Sequence, residues 1–352
     1  MKADYIIVGN GLAGACLAVQ LHTLGKKLVV YDIPSDNKSS AVAAGLYNPI
    51  TGKVMKKTWQ AAVLFPYLHR FYREAEHLLQ RSFFHPVGIY RPFITAGEQN
   101  DWAAWSANPD DGVPVELTVA PQSRLAVNDP LGGLLLPTAG WVDVASFLNA
   151  VRSLLSREHR LVEEPFRYDA VRLAAGVAHY GDIVAEKIIC CEGVGARNNP
   201  WLAPLPIQPL KGEVLIVEAA LPEAPIVNRG VYLVPHRQPG CFKAGATYNP
   251  HDQQPTVTNQ ARQDLERHLK AILRIPFRVC GQEWGFRPTV PDRRPIVGQH
   301  PRLEQILVFN GLGTKGVSLA PYFSHTLAEW LAGKQSLPHE ANMNRFYPLY
   351  SN

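Results

Sequence analysis

Residues 5–32 read YIIVGNGLAGACLAVQLHTLGKKLVVYD. Tyr5 to Val8 is a short apolar run suited to a strand, and Gly9, Gly11 and Gly14 follow it in G-x-G-x-x-G spacing. Ala13 to Leu24 reads as a helix, and Lys27 to Tyr31 as a second strand that ends on Asp32. Strand, glycine turn, helix, strand and acid in that order form the dinucleotide-binding fingerprint. Gly9 permits the tight turn, Gly11 lets a pyrophosphate approach the main chain, and Gly14 lets the helix sit close to the sheet. The helix N-terminus, through Leu12 and Ala13, offers unpaired N–H groups and a positive dipole end to the phosphates. Asp32, 18 residues beyond Gly14, is placed to accept hydrogen bonds from ribose hydroxyls.

The chain has 352 residues, of which 46% are hydrophobic and 18% charged. That supports a large core divided between two domains and argues against any long disordered stretch. The net charge of +5 suits an anionic substrate or ligand but does not by itself indicate nucleic acid. Five cysteines (Cys16, Cys190, Cys191, Cys241 and Cys280) contain no C-x-x-C pair, which fits buried free thiols in a reducing compartment and no metal site. Lys2, the apolar stretch and the small residues Ala13 to Ala15 mimic a signal peptide. Cleavage there would destroy the phosphate turn, so export is rejected and a cytoplasmic location expected. No run of ~18 apolar residues predicts a membrane span.

Beyond Asp32 lie a polar loop to Ser40 and the small-residue stretch AVAAGLYNPITGK, Ala41 to Lys53. Thr58 to Arg81 reads as an amphipathic helix whose apolar side includes Trp59, Val63, Leu68, Phe71, Tyr72 and Leu78. Asp143 is the expected N-cap of a helix to about Arg157. Ile188 to Cys191 has no polar member and reads as a buried parallel strand. Residues 211–218, 230–235, 244–247 and 282–287 read as strands, 258–272 as a helix, and PTVPDRRPIVG, from Pro288 to Gly298, as a turn. The nucleotide-fold strands therefore fall near residues 4–32, 187–196 and 305–310, with a substrate domain inserted between them.

A second glycine cluster, NGLGTKG at residues 310–316, repeats the spacing with Gly311, Gly313 and Gly316 between a strand and a helix. Only 36 residues follow Gly316, too few for another nucleotide-binding half with its own acid. The cluster is instead expected to serve the far, ring end of the ligand held by the first turn. Backbone N–H groups, the helix dipole and Lys315 suit the negative charge of a reduced flavin. Lys315 also admits a solvated loop position, and the glycines a simple turn.

The ordered set VGNGLAGACLA with Asp32, AGLYNP (44–49), GWVD (140–143), CCEGVGA (190–196), PLKGE (209–213), YLVP (232–235), GAT (245–247), GFRPTVPDRRPIVG (285–298) and NGLGTKGVSLAP (310–321) resembles the D-amino-acid oxidase family of FAD proteins. That family includes glycine oxidase, sarcosine oxidase and the FAD domain of a bifunctional tRNA-modifying enzyme. The resemblance covers nearly the whole chain. It implies an α/β fold: an FAD-binding Rossmann-like domain of glutathione-reductase type (1–82, 138–208 and 283–352), interleaved with a smaller α+β substrate domain on an antiparallel or mixed sheet (83–137 and 209–282). It implies FAD held by Gly9, Gly11, Gly14 and Asp32 at the ADP half. Ser39, Ser40, Ala44, Gly45 and Leu46 lie along the pyrophosphate and flavin edge, Gly193 near the adenine, and Gly311, Leu312, Gly313, Thr314, Lys315 and Gly316 at the pyrimidine ring. By the same resemblance, Arg287 clamps a substrate carboxylate and Tyr232 assists it. A guanidinium fork suits a carboxylate bidentately and a phenol adds one donor. On the residues alone, Arg287 also admits a structural ion pair with Asp292, and Tyr232 a core position.

The chain departs from the family in three places. Many relatives carry T-G-H-G in the last loop, where this chain has Asn310-Gly311-Leu312-Gly313 and no histidine. No cysteine falls in 288–352, where sarcosine oxidases tether FAD, so non-covalent FAD is expected. Leu46 to Trp59 is basic, and Asn48, Lys53, Lys56 and Lys57 are either substrate-shaping or a solvated loop. Three functions remain open: an oxidoreductase acting on the C–N bond of a small amino acid or N-alkyl amino acid, a flavoenzyme acting on a modified nucleoside or tRNA group, and a non-catalytic FAD-binding protein.

Overall fold

The computed structural model describes residues 1–35, 38–51, 56–106, 116–118, 122 and 125–351. Lys53 lies outside the described residues. Strand Lys2–Val8 buries Tyr5, Ile6, Ile7 and Val8. It pairs in parallel with Leu28–Tyr31 on one side and Ile183–Cys190 on the other, and helix Leu12–Thr23 makes the crossover. Leu161–Val162 extends the sheet beyond Leu28–Tyr31. Strand Ile183–Cys190 forks: its C-terminal half pairs in parallel with Ile306–Asn310, and its N-terminal half pairs antiparallel with Val177–Tyr180. Its wholly apolar end is buried on both faces, as a strand between parallel neighbours requires.

Two differences from the sequence reading concern the edges. Ile296–Gln299, read as part of a turn, is a strand antiparallel to Ile306–Asn310. The prolines and charges of PTVPDRRP mask the four residues behind them, of which Ile296 and Val297 are fully buried. The helix expected from Thr58 runs over Ala61–Leu79, after a left-handed Gln60. Its buried side carries Leu64, Phe65, Leu68, Phe71, Tyr72, Ala75 and Leu79, each worth roughly 1.5–3 kcal/mol for the larger side chains. Val63 and Leu78, expected on that side, face outward. Asp143 caps helix Val144–Arg157 by accepting from Ser146 N at 3.0 Å.

A second eight-stranded sheet runs in the order Phe277–Thr289, Gln208–Ala219, Cys241–Gly245, Val231–Pro235, Ile226–Arg229, Ile89–Pro92, Gly133–Leu136 and Glu116–Thr118. Only the contact between Ile226–Arg229 and Ile89–Pro92 is parallel. Helix Asn259–Ile272 covers one face of this sheet through Leu265 and Leu269, packed with Leu215, Val217, Leu233 and Phe242. The long ladder from Gln208↔Thr289 to Ala219↔Phe277 carries the second sheet back to the glycine loops and so fixes where the two regions meet. Among the described residues no helix is long and apolar enough to cross a membrane.

Candidate cofactor and substrate site

The N-terminal turn has the geometry its glycines predict. Gly9 has φ +99°, which favours glycine, and a Cβ there would stand 2.6 Å from Cys191 O. A Cβ on Gly14 would stand 1.9 Å from Gly9 O. Short helix Ser39–Val42 folds over the turn, and Ser40 Oγ accepts from Leu12 N at 3.1 Å. Beyond it, Gly45 packs against Val142 O, and Leu46 pairs with Trp141. Asp32 is buried and accepts from Asn10 N at 2.8 Å. It also pairs with Lys38 at 2.6 Å and Arg152 at 2.7 Å. Arg152 binds Glu163 as well. Arg152 is not legible from spacing, since it lies 120 positions away.

Asn10, at the middle of the first G-x-G, is only 3% exposed, and both polar atoms of its amide lack a protein partner. A buried amide left unpaired is costly, and at this turn the polar group of a bound ligand would complete it. The sequence signal was a polar residue between two glycines.

The second glycine loop lies against the first. A Cβ on Gly316 would be 3.2 Å from Leu12 Cδ1, and helices Leu12–Thr23 and Gly316–Leu331 pack together. Asn310 joins the loop to Gly193: its Nδ2 donates to Gly193 O at 2.8 Å, and its Oδ1 accepts from Gly311 N at 2.8 Å. Gly193, Gly311 and Gly313 all have left-handed φ. Leu312 is buried and Thr314 exposed. Lys315 is partly buried and donates to Thr58 Oγ1 at 3.1 Å. Burial, then Arg294 and Arg293, pull its pKa below the ordinary lysine value. Asn48 turns its Oδ1 to Ile50 N at 2.9 Å; it shapes the loop.

Strand register builds the substrate side. Arg287 stands opposite Leu210, Gly285 opposite Gly212, and Glu283 opposite Val214. Gly245 stands between Val214 and Tyr232. Directly paired residues share a face, so Arg287, Tyr232, Glu283 and the small residues Gly212, Gly285 and Gly245 line one face, opposite helix Asn259–Ile272. The Arg287 guanidinium lies over Gly212, where a Cβ would come within 2.2 Å of it. Among the described residues Arg287 forms no ion pair; its Nη1 donates to Thr247 O at 3.4 Å. Burial lowers its pKa, and Tyr232 and Tyr248 oppose the shift. Burial pushes Tyr232 up to about 12, with Arg287 opposing and Glu283 assisting. The alternative partner Asp292 is taken by Arg345 at 2.9 Å.

This face meets two of the expected cofactor segments, one on each flank. Lys243, 3.0 Å from Glu283, donates to Val42 O at 3.0 Å. Gly285 packs on Ser39. On the other flank Gly313 N donates to Pro288 O at 2.9 Å. Residues 285–288 therefore run between Ser39–Val42 and the second glycine loop. Lys243, Glu283, Gly212 and Gly245 were given no site role from the sequence, because only register brings them together.

The family profile DAO, described as FAD dependent oxidoreductase, matches residues 4–330. The chain belongs to this family of FAD-dependent oxidoreductases. The oxidoreductase is 26% identical over 372 residues to the bifunctional protein ThiO/ThiG of Synechocystis sp., covering 98% of this chain and 54% of that protein. It is 27% identical over 357 residues to the tRNA 5-methylaminomethyl-2-thiouridine biosynthesis bifunctional protein MnmC of Marinobacter nauticus, covering 92% of this chain and 54% of that protein. The chain thus spans about half the length of these curated relatives. Its fold is shared with glycine oxidase from Bacillus cereus (TM-score 0.79, 20% identity, 95% of this chain and 96% of that one). It is shared equally with iminodiacetate oxidase from Chelativorans sp. BNC1 (TM-score 0.78, 21% identity, 96% and 99%). The orphaned Asn10 amide, the glycine cradle and the buried Asp32 fit the FAD this family uses.

Proposed function

We propose that this oxidoreductase oxidises the C–N bond of a small amino acid or N-alkyl amino acid. One observation carries the reading: a partly buried guanidinium without a carboxylate partner among the described residues faces a glycine floor between two cofactor-binding segments. In this reading Gly9 to Gly14 and Asp32 hold the ADP half of a non-covalent FAD, and Gly311 to Gly316 hold its ring end. Ser39 to Leu46 line the path between. Residues 1–82, 138–208 and 283–352 form the cofactor domain, and 83–137 and 209–282 the substrate domain. A cytoplasmic location accords with five unbridged cysteines.

FAD supplies the two-electron acceptor for the hydrogen leaving the carbon beside nitrogen, and the imine product hydrolyses in water. The protein's own residues orient. Arg287 takes the carboxylate through its planar fork. Tyr232, with its pKa pushed up to about 12, stays a hydroxyl donor across the working pH range. Glycines 212, 245 and 285 leave room for the substrate body. The amine must be neutral to release hydride, so activity rises with pH through the pKa of the bound amine.

Anaerobic mixing of the FAD-loaded protein with a panel of amino acids and N-methyl amino acids tests this. Bleaching of the flavin by at least one of them is expected. Arg287→Ala should raise KM about 10- to 100-fold, as the loss of a charge-assisted contact implies, with FAD retained. No bleaching by any amine, or loss of FAD in the variant, contradicts the assignment. Relatedness to MnmC favours a second reading, in which the amine sits on a modified nucleoside; tRNA-dependent bleaching would select it.

A further inference from the structure

Arg293 and Arg294 follow the strand that carries Arg287, and the reading above does not use them. We propose that Arg293, Arg294 and Lys315 form an anion-recognising rim beside the amine site, so that the substrate carries a second oxyanion, carboxylate or phosphate, beyond the carboxylate taken by Arg287. This rests on the amine-oxidation reading for the place of the site.

The three cations converge from two elements. Lys315 opens helix Gly316–Leu331 and reaches Thr58 Oγ1 at 3.1 Å. Arg294 lies 4.1 Å over the ring of Trp59, the next residue, and Trp59 is stacked on Phe323 at 5.8 Å. The guanidinium is therefore held in place by a ring that is itself fixed. Arg293 is exposed and sits at φ +56°, a conformation that side chains other than glycine seldom adopt. Among the described residues neither arginine forms an ion pair. The neighbouring acid, Asp292, gives one oxygen to Arg294 N at 3.0 Å and the other to Arg345 at 2.9 Å, so it shapes the loop without neutralising these side chains. Burial, and after it the like charge of Arg294 and Arg293, lowers the pKa of Lys315; an arriving anion relieves the repulsion between these cations.

The place of the rim ties it to the substrate. Arg293 N donates to Val290 O at 2.8 Å, and Gly313 N to Pro288 O at 2.9 Å. The arginines thus leave the Arg287 strand where it touches the second glycine loop. The pyrophosphate of FAD belongs at the other glycine turn, so the rim serves an anion that arrives with the substrate.

The test uses FAD-loaded protein. Acetate, the dicarboxylates from malonate to adipate, and a mixed-sequence single-stranded RNA oligonucleotide are titrated. Binding is read both from the shift of the flavin absorption band and by calorimetry. The best diacid is expected to bind at least 10-fold more tightly than acetate. Arg293→Gln with Arg294→Gln should erase that gap and leave acetate affinity and FAD content unchanged. If only the RNA shows an affinity that these substitutions remove, the anion is a nucleic-acid phosphate; if only diacids do, it is a small diacid. Either outcome supports the rim. Equal binding of acetate and every diacid together with arginine-independent RNA binding overturns it. So does a shift of the flavin reduction potential in the variant with anion binding intact, because the cations would then serve the cofactor. An arginine-dependent gap in a protein whose flavin no amine bleaches keeps the rim and rejects amine oxidation.

Discussion

Gly212 shows how much a single position decides. Its missing side chain is the space that the Arg287 guanidinium occupies, and an added methyl would stand 2.2 Å from the guanidinium nitrogens. The obstructed group is the far end of a flexible side chain, so Gly212→Ala should fold normally and keep FAD while the guanidinium moves. A displacement of about 1 Å at an orienting group can cost up to 100-fold in rate; kcat/KM for the best amine should fall at least 10-fold with thermal stability unchanged. Unchanged kcat/KM would separate Arg287 from substrate binding. At this scale the sequence was partly legible. The glycines of residues 9–14 and Asp32 act locally, so their spacing announces them. Arg287 and Tyr232 were singled out through resemblance to a family. Gly212, Gly245, Lys243 and Glu283 were given no site role, because what joins them is the register of three strands far apart in the chain. Asn10 was passed over because its burial, not its type, makes its amide informative.

Among the elements, the long ladder of Gln208–Ala219 with Phe277–Thr289 positions the site, and its reverse face is held by a buried polar network. Lys211, 1% exposed, pairs with Asp252 at 2.7 Å. Glu213 accepts from Thr258 N and Oγ1, both at 2.8 Å, and from Gln282 at 2.7 Å. Thr258 also caps helix Asn259–Ile272 by accepting from Ala261 N at 3.2 Å. Thr258→Ala removes a cap and one bond to a buried carboxylate. It should cost about 2 kcal/mol and lower the melting temperature by several degrees, whereas Thr258→Ser should restore most of the loss. Equal melting temperatures for all three proteins would show that the network does not hold this helix. Helices were legible where an apolar face and a cap coincide, as at Asp143 and Thr258. Short strands such as Ile226–Arg229 and Ile296–Gln299 were not, since four residues behind a proline carry too little pattern to announce pairing.

For the molecule as a whole, one consequence concerns acid. Burial lowers the pKa of His69, His85, His236, His300 and His325 below the ordinary value of 6.5. Each is harder to protonate folded than unfolded, so below about pH 6.5 the unfolded chain binds more protons and stability falls as pH falls. Above that value the contribution is fully present. Melting temperature at saturating FAD should drop between pH 7 and pH 5, and His69→Gln with His85→Gln should make the drop shallower; a flat or rising profile would reverse the assignment.

The interleaved course of the chain brings the two glycine loops, one near each terminus, into contact at Leu12 and Gly316; in the proposed function they grip opposite ends of one FAD. Comparing FAD and ADP affinities in Gly313→Asp with those of the unaltered protein tests this most directly, with folding checked by circular dichroism. A carboxylate at the ring end should weaken FAD at least 10-fold and leave ADP, which reaches only the first turn, bound as before. FAD affinity that does not change, or ADP affinity that falls in the same proportion, would contradict the account.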